Sequence, residues 1–174
     1  MDTYNMIDFN KKKGFICDMD GVIYHGNRVL PGVAEFIQWL HDEDKEYLFL
    51  TNNSGYTPRE LHQKLERLGL DVSEEHFYTS ALATAAFLRD QAPGCSVFAI
   101  GEAGLLNALY DAGITMNDVN PDYVVVGEGR SYSLDTLTKA TNLVWKGAKL
   151  IGANSDVSGP IENGIAPACR ALVA

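Results

Sequence analysis

The sequence predicts an α/β protein in which parallel sheets are covered by helices. Two features predict it: short apolar runs alternate with segments of helical periodicity, and some of the apolar runs end in clusters of polar residues. Strand–helix alternation of this kind is typical of parallel sheets whose crossover helices lie on the sheet faces. The pair Pro93-Gly94 breaks the alternation, so we expect one α/β unit in residues 1–92 and a second in residues 93–174.

The individual elements follow from apolar spacing and from turn and capping residues. The helix over 57–69 has the clearest start, because Thr57 and Glu60 occupy capping-box positions and Pro58 takes the first helical position. The predicted strands are 14–17, 47–51, 77–79, 96–101, 123–127 and 149–154, and the predicted helices are 31–45, 57–69, 80–90, 102–112 and 134–146.

The composition argues against several classes of protein. The chain has 174 residues, 46% of them apolar, and a net charge of −9 from 14 basic and 23 acidic residues. Without a basic face, nucleic acid is not an expected partner. Residues 1–10 lack the apolar core of a signal peptide, no apolar run is long enough to span a membrane, and the three cysteines form no CxxC pair. We therefore expect a cytoplasmic protein with no membrane partner.

Two aspartates follow the first strand in the stretch GFICDMDGVIYHG (14–26). Asp18 and Asp20 repel each other, and desolvating them costs several kcal/mol unless something compensates. In parallel sheets, ligands bind beyond the carboxyl ends of the strands, where this pair is expected to lie. A turn or helix cap is the simpler interpretation. An EF-hand calcium loop is excluded, because Val22, Ile23 and Val29 stand where it needs an oxygen ligand, a glycine and a glutamate.

A magnesium site with a nucleophile accounts for the pair better. Mg²⁺ prefers carboxylate oxygens, keeps several waters and is often shared with a substrate phosphate. The cation would offset the repulsion between the two aspartates and an anionic substrate. Asp18 could then attack phosphorus, while Asp20 could protonate the leaving oxygen and later activate water.

A second polar cluster, Thr51, Asn52 and Asn53, follows the strand 47–51 and precedes Gly55. A hydroxyl and backbone amides at such a strand end suit phosphoryl oxygens. An ordinary strand-to-helix turn explains the cluster equally well when it is taken alone. The aspartate pair on the preceding strand makes the phosphate-binding interpretation much more specific.

With these motifs in place, DMDGVIYHGNRVLPGVAEFI followed by LTNNS resembles the haloacid-dehalogenase-like phosphatases, specifically their NagD-like branch. The resemblance runs over residues 14–174. It implies a Rossmann-like parallel-sheet core, present here only in its N-terminal part (1–92), and an inserted α/β cap domain (93–174, incomplete). It also implies a Mg²⁺-dependent hydrolase of small organic phosphomonoesters, of the sugar phosphate or nucleotide monophosphate type, that works through an aspartyl-phosphate.

The resemblance assigns roles to four residues. It implies that Asp18 is the nucleophile and a metal ligand, and that Asp20 is the general acid/base and a metal ligand through its backbone carbonyl. Thr51 and Asn52 are implied to bind the transferring phosphoryl group. Two alternatives stay open: a phosphomutase that shares the aspartate chemistry, and a catalytically incomplete fragment that acts only through cap-mediated self-association as a homo-oligomer.

Two motifs of such phosphatases do not occur in this sequence. One is a lysine in a Gly-Lys-Pro context after the cap, and the other is Gly-Asp-x-x-x-x-Asp after a fourth core strand. Lys139 and Lys149 lie in cap positions and cannot be assigned the role of the missing lysine. The chain ends in PACRALVA, which reads as the interior of a cap helix. We therefore expect a C-terminally truncated piece of a longer phosphatase that is inactive by itself, with one edge of its first strand uncovered.

Several other residues are candidates for a site. Gly127-x-Gly129 resembles a dinucleotide-binding loop, but Tyr132 stands at the third glycine position and no acidic partner follows, which argues against a nucleotide cofactor. His25 could line the mouth of an active site or face solvent. Asn154 and Asp156 could contact substrate or simply turn the chain.

Overall fold

The computed structural model describes residues 8–161 and 163–174. Most of segment 1–10, in which no signal peptide is predicted, therefore lies outside the described residues. In chain order the elements are β1 (Gly14–Asp18), β2 (Tyr24–His25), β3 (Arg28–Val29), α1 (Val33–Asp42), β4 (Glu46–Thr51), α2 (Pro58–Arg67), β5 (Phe77–Thr79), α3 (Ser80–Gln91), β6 (Ser96–Ile100), α4 (Ala103–Asp111), β7 (Thr115–Met116), β8 (Tyr123–Val126), α5 (Leu134–Trp145), β9 (Lys149–Gly152), β10 (Ser158–Ile161), β11 (Gly164–Pro167) and α6 (Cys169–Val173).

The first sheet contains three parallel strands in the order β1-β4-β5. Its core joins apolar side chains of the strands to those of α1 and α2, with Phe49, Leu40 and Leu65 fully buried. The predicted capping box at the start of α2 is confirmed. The Thr57 hydroxyl accepts a hydrogen bond from the Glu60 amide at 3.1 Å, and the Glu60 carboxylate accepts one from the Thr57 amide at 2.8 Å.

The second sheet contains four parallel strands in the order β7-β6-β8-β9, so the predicted α/β class with parallel sheets is confirmed. Helix α3 precedes this sheet in the chain and packs on it. Its buried residues Ala81, Ala85 and Leu88 share one apolar cluster with Val97 and with residues of α4 and β8. The predicted division of the chain between residues 92 and 93 stays a prediction. Helix α3 lies before that division in the chain but packs with the second sheet.

Three short features differ from the predicted elements. The hairpins β2–β3 and β10–β11 and the two-residue strand β7 were not expected from the sequence. Such strands are too short to show an alternating apolar pattern, and four of the eight residues in β10 and β11 are glycine or proline. Within the described residues, no helix combines the length and the apolar character needed to cross a bilayer.

Strand β1 lies at the edge of the first sheet. It pairs with β4 on one side, and no other strand of the described residues pairs with its far side. The side chain of Ile16, in the middle of β1, is 72% exposed. An unpaired, partly apolar edge of this kind can template pairing with another strand.

The loop after β4 packs closely against the start of helix α4. The Gly104 amide in the first turn of α4 donates a hydrogen bond to the Gly55 carbonyl at 3.1 Å. A Cβ atom at Gly104 would lie 2.5 Å from the carbonyl oxygens of both Ser54 and Tyr56. Only glycine at this position lets the loop and the helix approach so closely.

We therefore expect Gly104→Ala to destabilise the protein by about 2–3 kcal/mol, although alanine is the better helix former. For a chain of this size, this corresponds to a fall in Tm of roughly 5–10 °C. The matched control is Gly159→Ala, because a Cβ atom there meets no atom within 4 Å. Thermal unfolding followed by circular dichroism compares the two, and an equal Tm for both variants would contradict the close approach.

Candidate active site

The pairing of β1 with β4 brings the two polar clusters together. Asp18 is in register with Leu50 in this parallel pair, so the residues that follow each strand emerge at the same sheet edge. The Thr51 hydroxyl donates a hydrogen bond to Oδ2 of Asp20 at 3.4 Å. Asp18, Asp20 and Thr51 therefore lie at one carboxyl edge, as the sequence predicts.

The loop that carries the two aspartates is closed by its own backbone. The Met19 carbonyl accepts hydrogen bonds from the amides of Val22 at 3.2 Å and Ile23 at 2.9 Å, and the Met19 side chain is fully buried. Oδ1 of Asp18 accepts a hydrogen bond from the Met19 amide at 2.8 Å. Both aspartates are exposed residues, and of the two only Asp20 lines the cleft that opens at this edge.

The turn after β4 is shaped by side chains that bond its backbone. Thr51 is buried, and its hydroxyl accepts a hydrogen bond from the Asn53 amide at 3.1 Å. Oδ1 of Asn53 accepts a hydrogen bond from the Gly55 amide at 2.7 Å. These contacts fix the turn internally and leave the side chain of Asn52 exposed.

Residues that follow β9 approach Asn52 directly. The Asn154 amide group donates a hydrogen bond to the Asn52 carbonyl at 2.8 Å, and the Asn52 amide group donates one to Oδ2 of Asp156. The Ser80 hydroxyl donates a further hydrogen bond to the Asn52 carbonyl at 2.7 Å. Asn154 and Asp156 thus lie at the candidate site rather than in a remote turn.

Two residues of this region were not singled out from the sequence. Ser54 is fully buried, and its hydroxyl accepts a hydrogen bond from the Glu128 amide at 2.7 Å. The Glu128 carboxylate accepts one from Asn154 at 2.9 Å. Burial raises the pKa of Glu128, the charges of Asp20 and Asp156 act in the same direction, and the hydrogen bond from Asn154 opposes them. Ser54 ends the LTNNS segment and Glu128 stands between Gly127 and Gly129, but no local pattern indicates a contact between residues 74 positions apart.

A cleft of about 490 Å³ opens between the two sheets at this edge. Its volume is in the range of sites for small molecules. Carboxylates of Asp20, Glu60, Glu102, Glu128 and Asp156 line it together with one cationic side chain, that of Arg130. Nη2 of Arg130 lies 3.3 Å from the Tyr56 hydroxyl, to which it donates a hydrogen bond.

The remaining candidates lie elsewhere or have structural roles. His25 is exposed in the β2–β3 hairpin and does not line the cleft. Gly127 faces the buried Ser54, and a Cβ atom there would lie 2.7 Å from the Ser54 hydroxyl. The glycine pattern that resembles a dinucleotide loop therefore serves close packing. Lys139 forms an ion pair with Asp118 at 2.7 Å and does not line the cleft.

The donors available for a metal ion at this edge are few. Within residues 8–161 and 163–174, no group of three or more His, Cys, Asp and Glu side chains could hold a metal ion. The carboxylate of Asp18 and the carbonyl of Asp20 are oxygen donors of the kind that Mg²⁺ uses. They fit an ion that completes its shell with water and a substrate phosphate.

The fold and the site thus combine a parallel sheet with an aspartate pair at the end of β1 and a Thr-Asn pair at the end of the neighbouring strand β4. Residues 15–115 match the family described as haloacid dehalogenase-like hydrolase. The chain belongs to this family.

Similar proteins were found by sequence and by structure. The ribonucleotide monophosphatase NagD of Escherichia coli (strain K12) is 45% identical over 162 residues, which cover 93% of this chain and 63% of NagD. The dihydroxyacetone phosphatase of Corynebacterium glutamicum (strain R) is 44% identical over 160 residues, which cover 92% of this chain and 58% of that protein. The structure of NagD from the K-12 strain superposes with a TM-score of 0.84 over 92% of this chain and 63% of that chain. The chain thus spans about three fifths of the length of these relatives.

The environment of Glu128 predicts how stability depends on pH. A carboxyl group whose folded pKa is raised stabilises the fold below its ordinary pKa, and this contribution is lost as the pH rises through the folded pKa. Glu128→Gln keeps the acceptor for Asn154 and removes the charge. We expect its Tm to exceed that of the parent chain at pH 8, and the gap to close towards pH 4.

Thermal unfolding at the two pH values measures this gap. The matched control is Glu43→Gln, at an exposed position outside the cleft, whose Tm should follow that of the parent at both values. A gap for Glu128→Gln that is the same at pH 4 and pH 8 would contradict an effect of burial on this carboxylate.

Proposed function

We propose that these residues belong to a Mg²⁺-dependent phosphatase that hydrolyses small organic phosphomonoesters through an aspartyl-phosphate on Asp18. The observation that supports the proposal most directly is the contact of Asp20 with Thr51 beside Asp18 at one sheet edge, where substrates of parallel-sheet proteins bind. Family membership and the phosphatase names of the relatives support the same reaction class.

The proposed reaction has two displacement steps at phosphorus. A carboxylate oxygen of Asp18 attacks phosphorus, the bond from phosphorus to the ester oxygen breaks, and Asp20 gives its proton to that oxygen. Water then attacks the phosphorus of the aspartyl-phosphate while Asp20 takes up a proton from it. The bond between phosphorus and Asp18 breaks, which releases inorganic phosphate and regenerates the nucleophile.

Thr51, Asn52 and the bound cation have supporting roles in this proposal. The Thr51 hydroxyl and the Asn52 side chain orient the phosphoryl oxygens. Substrate would replace Asp156 as the hydrogen-bond partner of the Asn52 amide group. The carboxylate of Asp18 and the carbonyl of Asp20 would hold Mg²⁺, which supplies positive charge against the developing charge of the phosphoryl group.

The cleft and the names of the relatives guide the choice of substrate. NagD is named a ribonucleotide monophosphatase, and relatives from Staphylococcus, 40% identical in Staphylococcus haemolyticus (strain JCSC1435), are named acid sugar phosphatases. A cleft of about 490 Å³ admits a sugar phosphate or a nucleotide monophosphate. The three free cysteines fit a reducing compartment, so we include a cytoplasmic location in the proposal.

Asp18→Asn tests the nucleophile in the complete gene product that contains this chain. The amide keeps the shape of the side chain but loses the charge needed to attack phosphorus and to bind the cation. We expect phosphate release from p-nitrophenyl phosphate to fall below detection while the circular dichroism spectrum is unchanged. Asp111→Asn, at the exposed end of α4, is the matched control and should keep wild-type turnover. Near-wild-type turnover of correctly folded Asp18→Asn would rule out Asp18 as the nucleophile.

Removal of divalent cations tests the metal in the same gene product. We expect EDTA to abolish phosphate release and added Mg²⁺ to restore it, because the anionic phosphoryl group cannot approach Asp18 without a cation. Steady-state assays across a Mg²⁺ titration measure the recovery. Hydrolysis that continues undiminished in excess chelator would disprove the metal requirement.

A further inference from the structure

Helix α2 carries a lysine on its apolar side. Leu61 and Leu65 are buried and Leu68 packs against the same core, so the helix presents an apolar stripe at positions 61, 65 and 68. Lys64 lies three residues after Leu61 and next to Leu65, which places it beside this stripe rather than on the solvent face. Its side chain is half-buried.

The ammonium group of Lys64 lies against aromatic rings instead of a carboxylate. Its nitrogen is 3.6 Å from the ring centroid of Tyr24 and 5.8 Å from that of Tyr56. In the part of the chain that the structure describes, Lys64 forms no salt bridge. A cation at such a distance from an aromatic face is attracted by the ring quadrupole, and more strongly when it is shielded from water.

Tyr24 is the residue that closes the loop of the catalytic aspartates. It is 2% exposed, its carbonyl accepts a hydrogen bond from the Gly21 amide at 2.8 Å, and Asp20 and Tyr24 form an isolated β-bridge. Lys64 therefore packs on the ring of the residue that is bridged to Asp20, and Thr51 contacts the Asp20 carboxylate.

The charges of this group are coupled. Burial raises the pKa of Tyr24, and the charge of Asp20 raises it further. Burial lowers the pKa of Lys64, and the charge of Asp20 opposes that shift. A half-buried ammonium group costs stability that a leucine on the same stripe would not cost. Because the half-buried charge of Lys64 lowers the stability of the fold, we look for a role of this residue other than folding.

We propose that Lys64 is a positioning residue for Asp20. By packing on the Tyr24 ring, it keeps the Asp20 carboxyl group where that group can protonate the leaving oxygen. This inference rests on the proposed phosphatase function. Lys64 itself does not line the cleft.

A comparison of leaving groups tests the role of Lys64 separately from folding. An alkyl phosphate such as glycerol 1-phosphate needs a proton from Asp20 when its oxygen leaves, whereas the nitrophenolate of p-nitrophenyl phosphate leaves without one. The quantity to compare is kcat/KM in the complete gene product, because it reports the steps up to the first bond cleavage and omits hydrolysis of the aspartyl-phosphate.

Lys64→Met removes the charge and keeps an unbranched side chain. We expect it to lower kcat/KM for the alkyl phosphate by roughly 10–100-fold, as for a misplaced catalytic group, and for p-nitrophenyl phosphate by less than about threefold. Lys64→Arg should stay within about threefold of wild type on both substrates, because arginine also stacks on aromatic rings. Arg67→Met removes an exposed cation from the same helix and should leave both values unchanged.

The outcomes separate the inference from the function on which it rests. Wild-type protein that releases phosphate, with Asp18→Asn inactive, establishes the function first. Equal losses on both substrates for Lys64→Met, or no loss on either, would then overturn the positioning role while the phosphatase function stands. Wild-type protein with no phosphatase activity on either substrate would overturn both.

Discussion

The parallel pairing of β1 with β4 is the constraint on which the candidate site depends. It sets Asp18 opposite Leu50, so that the aspartate loop and the Thr51 turn emerge side by side. Without that register the Thr51 hydroxyl could not reach the Asp20 carboxylate, 31 residues earlier in the chain. The position of the cleft then follows from strand direction, because the carboxyl ends of parallel strands lie at the same edge of a sheet.

The second sheet completes this edge through backbone and amide contacts. The loop that follows Thr51 is held from one side by Gly104 of α4 and from the other by the Ser54–Glu128 hydrogen bond. Asn154 and Asp156 then contact Asn52 from across the cleft. Asp156 therefore both contacts Asn52 and lines the cleft.

Charge is distributed unevenly around this cleft. Carboxylates predominate among its lining residues, and burial raises the pKa of one of them, Glu128. An anionic substrate would meet repulsion there unless a cation accompanied it. This is the physical reason why a divalent ion belongs in the proposal. Two basic side chains lie near the aspartates: Lys64 on the ring of Tyr24, and Arg130 in the cleft. They are fewer than the carboxylates and do not balance the negative charge.

The sequence by itself determined the local features of this protein. Among the described residues, apolar runs and caps located six strands and five long helices, because burial and backbone hydrogen bonding act on neighbouring residues. It also indicated Asp18, Asp20, Thr51 and Asn52 as candidates, since polar residues at the ends of apolar strands stand out without any knowledge of the fold, and their roles stay a prediction.

Only the tertiary structure decided which distant residues join them. Ser54 meets Glu128 across 74 residues, and Asn154 meets Asn52 across 102 residues. Lys64 lies over Tyr24 because α2 packs on the first sheet. No local pattern encodes such contacts, because they depend on how helices and sheets pack, and packing is settled by the shape of the whole core.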